Sequence, residues 1–311
     1  MKRSYLTGIF FIILILILCI TGCDTLRSLY GDGFHLSRSK PRILSNDNRS
    51  VLRKKVLIAP VINMAGIKDE KVDQIADTWL KLLKEDTSLL VTPLTGFESP
   101  QITSKSSGLG VYTDPVIIKK AEEMGMNTLV SLVLEPIIYT AEKGLIWPFN
   151  EVKAEYGISI LVNAVDLTSG TVVYSFKESN TIKMGEVPEG QETPVPLDTM
   201  TLDEVLYALQ KKQASALSGV LSSQPWKGKI ALDQGRIKIN GGTDIGITPG
   251  SVFEVFNKGE GAKSLSGTSY YAGGAKAGEI KVTEVTGDHS FATPIGEKDF
   301  EDGLTIALKH E

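Results

Sequence analysis

Beyond residue 54 the hydrophobic positions follow two rhythms, a continuous or every-second spacing and a three-and-four spacing, and the switches between them mark the elements. The run 55–62 is short, apolar and rich in β-branched residues, which predicts a buried strand. From 69 to 86, Val72, Ile75, Ala76, Trp79, Leu82 and Leu83 recur on one helical face, and Asp69 and Glu70 place negative charge in the first turn, where the helix dipole favours it. The run 89–94 predicts a second strand, whose Pro93 points to an edge or a strand end. A polar loop, expected to be mobile, covers 95–113. Asp114-Pro115 then supplies a cap and a proline at the first helical position. Ile117, Ile118, Ala121 and Met124 give this helix an inner face, and Gly125 ends it. The run 128–139 predicts one returning strand. Strand, helix, strand, helix, strand implies parallel neighbours joined by right-handed crossovers.

The rhythm then changes to period two. Residues 156–166 and 171–178 alternate on either side of a turn closed by Gly170, which predicts a hairpin and so a mixed sheet. A stripe from Leu202 through Leu206, Leu209, Gln213 and Ala216 to Leu221 predicts a long closing helix, limited by Pro225. From 227 on the texture is short strands punctuated by glycine, the pattern of a small all-β unit. Its candidate strands are 228–232, 236–239, 251–256, 277–285 and 290–293, with 304–308 as a sixth. The fold class expected is α/β, a mixed sheet flanked by helices, followed by a small all-β barrel.

Ahead of this pattern, Lys2 and Arg3 precede an apolar run over 9–20 that ends in Thr21-Gly22-Cys23. A basic start, a short apolar stretch and small residues before a cut site make a secretory leader. The run is short for a spanning helix, which needs roughly 20 apolar residues. Residues 20–23 resemble the bacterial lipobox, and the resemblance implies an acylated Cys23 as mature N-terminus, with palmitate-like chains holding the protein to a membrane. Each buried methylene contributes about 0.8 kcal/mol, so several chains anchor durably. The other reading is an uncleaved anchor helix with an incidental cysteine; both export the rest of the chain to the periplasmic side. Asp24 resembles an inner-membrane retention signal, with the outer membrane left open. Cys19 and Cys23 are the two cysteines, so the folded part has none for disulfides or thiolate chemistry. The chain therefore divides into a leader over 1–22, a flexible tether over 23–54, an α/β domain over 55–224 and a barrel domain over 225–311.

Charge narrows the partners. The 33 basic residues fall to 31 when Lys2 and Arg3 leave with the leader, against 37 acidic ones. A net acidic chain argues against general nucleic-acid binding. The tether runs the other way: between Arg27 and Lys55 lie Arg38, Lys40, Arg42, Arg49, Arg53 and Lys54, opposed by Asp32 and Asp47. It reads either as a solvated spacer or as a segment lying on anionic headgroups.

The stretch 55–223, carried by the strand 56–62, the helix after it, the strand from Thr128 and the hairpin 158–176, resembles the α/β domain shared by the amino-terminal part of TolB, the curli secretion lipoprotein family and lipoprotein activators of penicillin-binding proteins. That resemblance implies a docking or oligomerising module with no catalytic residues to carry over. Gly235, Ile237, Asn240, Gly246, Ile247, Gly250, Phe253 and Val255, with the later run 278–282, resemble the carboxy-terminal domain of the flagellar assembly protein T family, which implies an SH3-like barrel. That family has an extra amino-terminal domain, for which the stretch 27–54 is too short.

Between 141 and 155, Leu145, Ile146, Trp147 and Phe149 form an apolar tip. It is read either as a partner or membrane contact, since tryptophan-centred clusters dominate interfaces, or as a segment folded back over the sheet. Nothing around it alternates for the roughly 9 to 11 residues per strand that a membrane barrel needs.

Enzymatic signatures are missing. The stretches 259–264 and 271–278 lack the Gly-Lys-Ser/Thr of a phosphate loop and read as loops. His35, His289 and His310 have no second ligand at metal spacing. There is no Gly-x-Ser-x-Gly elbow, and Glu122-Glu123 reads as a solvated pair. No cofactor is expected. The favoured function is a non-enzymatic docking or assembly factor for an envelope machine, flagellar or secretory, with an unidentified protein partner and self-association open. The rivals are an oligomeric secretion channel component and a cell-wall enzyme with a scattered site.

Overall fold

The first apolar run becomes β1 (Lys54–Ile58), every residue of which is buried. The computed structural model describes residues 52–96, 114–143, 152–187, 196–263 and 269–309, and all of these fall within one compact unit. Pro60, which has no N–H for a ladder, separates β1 from its short continuation β2 (Ile62–Asn63). Helix α1 (Asp69–Lys84) buries Ile75, Trp79, Leu82 and Leu83 as its stripe predicts. Strand β3 (Leu89–Pro93) pairs parallel with β1 and ends the sheet there, an edge position suited to its proline. In α2 (Pro115–Glu123) the Asp114 carboxylate accepts the Val116 N–H at 2.8 Å, and Ile117 and Ala121 are buried.

The run 128–139 is two strands rather than one. Strand β4 (Thr128–Leu134) and strand β5 (Ile138–Lys143) are interrupted around Pro136, and both pair antiparallel with β6 (Val152–Asp166). Strand β7 (Val172–Val187) pairs with the other side of β6 along most of its length. At 15 and 16 residues, β6 and β7 exceed the span expected of this hairpin, yet β6 lies inside a sheet with Ile158, Ile160 and Val162 buried. Helix α3 (Thr199–Ser223) starts at the Asp198 cap and ends just before Pro225. It packs with α1 on one face of the sheet, around Trp79, Leu132, Ile160 and Leu217. On the opposite face α2 meets Leu57, Leu129 and Leu167.

Two positions of the predicted inner faces are corrected. Ala214, not Ala216, is buried in α3, because burial there follows contact with the sheet and α1 from two sides. Met124 lies past the end of α2 and is 37% exposed.

The second part is a closed six-stranded antiparallel barrel: β8 (Lys227–Asp233), β9 (Arg236–Ile239), β10 (Val252–Lys263), β11 (Ser269–Val285), β12 (Ser290–Pro294) and β13 (Thr305–Leu308). Alternate residues point inward, so Ile230, Ile237, Ile239, Phe253, Val255 and Ile306 form the core. The stretches 259–263 and 271–278, expected as loops, lie in β10 and β11. Backbone pairing, interrupted by bulges, holds them where the glycine-rich sequence has no apolar alternation to announce a strand.

The expected boundary at 54/55 also moves. Leu52 is buried in the barrel core, and the Arg53 N–H donates to Ile245 O at 2.9 Å. Residues 52–54 thus belong to the folded part, recruited by contacts from residues almost two hundred positions later.

Candidate functional site

The sheet and barrel are joined at the start of β1. The Arg53 guanidinium donates to the carbonyls of Thr87, Leu89 and Asp244 at 2.9, 3.1 and 3.3 Å. Lys55 Nζ pairs with Asp244 at 2.9 Å and donates to Asp288 O at 3.1 Å. From the sheet side Asn127 accepts the Lys55 N–H at 2.8 Å and donates to Lys227 O at 2.7 Å. Gly125, at φ +67°, turns the chain out of α2, and a Cβ there would press on the Asn240 side chain. The contacts with Asp244, Asp288, Lys227 and Asn240 tie the α/β part to the barrel, while those with Thr87, Leu89 and the Lys55 N–H brace the same residues within the sheet.

Beside this joint opens a cleft of about 780 Å³. Its floor is Lys54, only 7% exposed, whose Nζ donates to Leu221 O in the last turn of α3, where the helix dipole favours a cation. Burial brings the Lys54 ammonium down to about 8; the Asp166 charge works against that shift and Lys227 adds to it. Asp166 ends β6 and organises the turn into β7: its Oδ1 accepts the Thr168 N–H at 2.9 Å and its Oδ2 the Ser169 hydroxyl at 2.8 Å. Both carboxylate oxygens are therefore already engaged. Across the cleft, Lys227 and Lys229 alternate outward along β8 about the buried Gly228. Lys229 reaches Glu122 of α2 at 3.0 Å. Lys258 and Phe256 come from β10, with Gly273 of β11 and Gly303 beside them.

Four lysines and two carboxylates thus converge, and the ion pairs found among the described residues involve neither Lys227 nor Lys258. Glu122, read from sequence as a solvated charge, lines this cleft. The lysines missed by sequence reading are separated by up to two hundred positions; the one local signal was Lys54-Lys55 opening an otherwise apolar strand.

The sequence-predicted contacts lie elsewhere. Cys23, Leu145, Ile146, Trp147 and Phe149 fall outside the described residues, as do most of the expected polar loop and nearly all of the tether. His289 sits beside Asp288 at 2.8 Å. Among the described residues no group of three or more metal-ligating side chains is found, and no helix is long and apolar enough to cross a membrane.

No family model and no curated protein matches the sequence. Several solved structures share limited similarity. The PelC dodecamer from Paraburkholderia phytofirmans is 13% identical over 57% of this chain and 92% of its own, with a TM-score of 0.30. Lipoprotein GNA1162 from Neisseria meningitidis is 14% identical over 52% and 99%, with a TM-score of 0.29. The hypothetical protein CT253 from Chlamydia trachomatis is 11% identical over 55% and 99%, at 0.36. At TM-scores this low, neither fold nor function is carried from them to this chain.

Proposed function

We propose that this protein is a lipid-anchored component of the bacterial envelope that acts by binding rather than turnover, docking another envelope component through the cleft between its sheet and its barrel. The observation that carries the reading is the cleft's composite construction: Lys54 and Asp166 come from the sheet, Lys227 and Lys258 from the barrel, so the site exists only where the two parts are held together. The leader ending in Thr21-Gly22-Cys23 supports the location, with acylation of Cys23 providing the anchor. Side chains around the cleft suit recognition, and its engaged Asp166 is poorly placed to act as a base.

Two variants test this. Cys23→Ser is expected to leave the membrane fraction. Ala307→Trp adds an indole at a position lining the cleft and is expected to reduce partner recovery from crosslinked native membranes at least tenfold while keeping the melting temperature. Undiminished recovery with Ala307→Trp removes the cleft from the docking surface.

A further inference from the structure

We propose that the cleft binds a phosphate group, with Lys227 and Lys258 as its cationic ligands and the glycine-lined wall of β10 and β11 as its backbone side. The inference rests on the cleft being the contact site and names the chemistry it recognises. Four ammonium groups face two carboxylates here. Asp166 is held by turn donors and Glu122 by Lys229, so the surplus positive charge resides on Lys227 and Lys258. Lysine binds phosphate as a compact point charge that needs no bidentate fork geometry, and among the described residues lining this cleft the cations are all lysines.

The wall supports the same ligand. A Cβ on Gly274 would collide with the Asn257 carbonyl, which forces glycine where β10 and β11 approach each other, while at the neighbouring Gly273 a Cβ would meet nothing within 4 Å. Backbone bare of side chains beside two lysines lets a phosphate come close. Lys258 Nζ lies near Gly303, 3.7 Å from where a Cβ would stand, which brings the ammonium to the same wall. Thr128, Thr305 and Phe256 also line the cleft.

The phosphate has two possible sources, a soluble phosphate ester or a lipid headgroup. The mature, acylated protein in neutral detergent is titrated calorimetrically with inorganic phosphate and glycerol phosphate, with acetate at equal ionic strength as the control. In parallel, surface labelling of lysines is measured on phosphatidylcholine vesicles with and without phosphatidylglycerol. The expected result is saturable phosphate binding that acetate does not reproduce, weakened at least tenfold in Lys227→Gln/Lys258→Gln and unchanged in Lys211→Gln on the exposed side of α3. Protection of Lys227 and Lys258 only on phosphatidylglycerol vesicles assigns the headgroup; heat from glycerol phosphate in detergent assigns the soluble ester. Absence of binding in both arms, or equal binding of acetate, overturns the proposal. If phosphate fails while Ala307→Trp still abolishes partner recovery, the docking function stands and the ligand chemistry alone is wrong.

Discussion

In the sheet, Ser131 on β4 and Asn163 on β6 are register partners, both buried, and neither Ser131 Oγ nor Asn163 Nδ2 has a hydrogen-bond partner. In the barrel, the buried polar side chain Ser290 donates to Gly241 O at 2.9 Å. Other buried polar residues, among them Lys54, Asn127, Gln210 and Gln213, also belong to the α/β part. Gln210 donates from α3 to Ile75 O on α1 at 2.7 Å, while Gln213 accepts from the Tyr174 hydroxyl at 2.5 Å and donates to Phe176 O at 2.9 Å. A closed barrel satisfies its backbone by strand pairing all round and fills its interior from alternate positions. An open sheet must be covered by helices whose placement apolar contacts alone leave loosely specified, and here buried amides fix where α3 lies. Polar burial in the α/β part therefore positions elements, and β1, shared with the barrel through Leu52 and Arg53, transmits that position to the cleft.

The strongest way to break this contrast is to remove a core side chain from each part. Trp79 and Phe253 are both fully buried, and truncation of either to alanine should cost about 3–5 kcal/mol. Because Leu52 sits in the barrel core and Arg53 bridges both parts, Trp79→Ala and Phe253→Ala should each lower one shared melting transition. A separate transition for the barrel in Phe253→Ala would show that the two parts fold independently.

Next in size is the pH dependence of Lys54. Its folded value near 8 lies below the ordinary 10.5, so between these values the unfolded chain holds a proton that the folded chain does not. Raising the pH through that window therefore stabilises the fold, by at most about 3 kcal/mol. Melting of the wild type should improve between pH 7.5 and 9.5 relative to Lys54→Met, measured by circular dichroism. Parallel curves would mean that Lys54 is not desolvated. Tyr174, pushed up to about 12 by burial and then by Glu178, acts in the opposite sense: above pH 10 the unfolded phenol ionises while the folded one stays neutral, so stability falls as the pH rises toward 12.

The smallest effects separate amides that anchor from polar groups that do not. Gln213→Leu leaves the Tyr174 hydroxyl and the Phe176 carbonyl without their partner and should cost about 1–3 kcal/mol. Ser131→Ala removes a hydroxyl with no partner and should change stability by less than about 1 kcal/mol in either direction. Chemical denaturation compares them, and an equal loss in both would end the distinction.

Local pattern was enough to reveal much of the fold. The α1 stripe, the Asp114-Pro115 start of α2, the hairpin of β6 and β7 and the alternation of β8 and β9 were legible because each depends on residues a few positions apart. The cleft was not legible. Lys54, Asp166, Lys227 and Lys258 are ordinary charged residues at strand ends or on outward-facing positions, and apart from the Lys54-Lys55 pair at the start of an apolar strand, nothing within a few residues distinguishes them from solvated charges.

By itself, then, the sequence determined most of the strands and helices and which of their faces are apolar; the leader expected over 1–22 lies outside the described residues. Only tertiary structure decided that Pro60 and Pro136 divide two long strands, that the glycine-rich stretches of β10 and β11 pair as strands, and that Leu52 plugs the barrel. It also decided that four lysines meet. Side-chain periodicity is a property of neighbours along the chain, whereas strand pairing and charge convergence depend on backbone register and on the closing of a barrel, which bring together residues that share no local pattern.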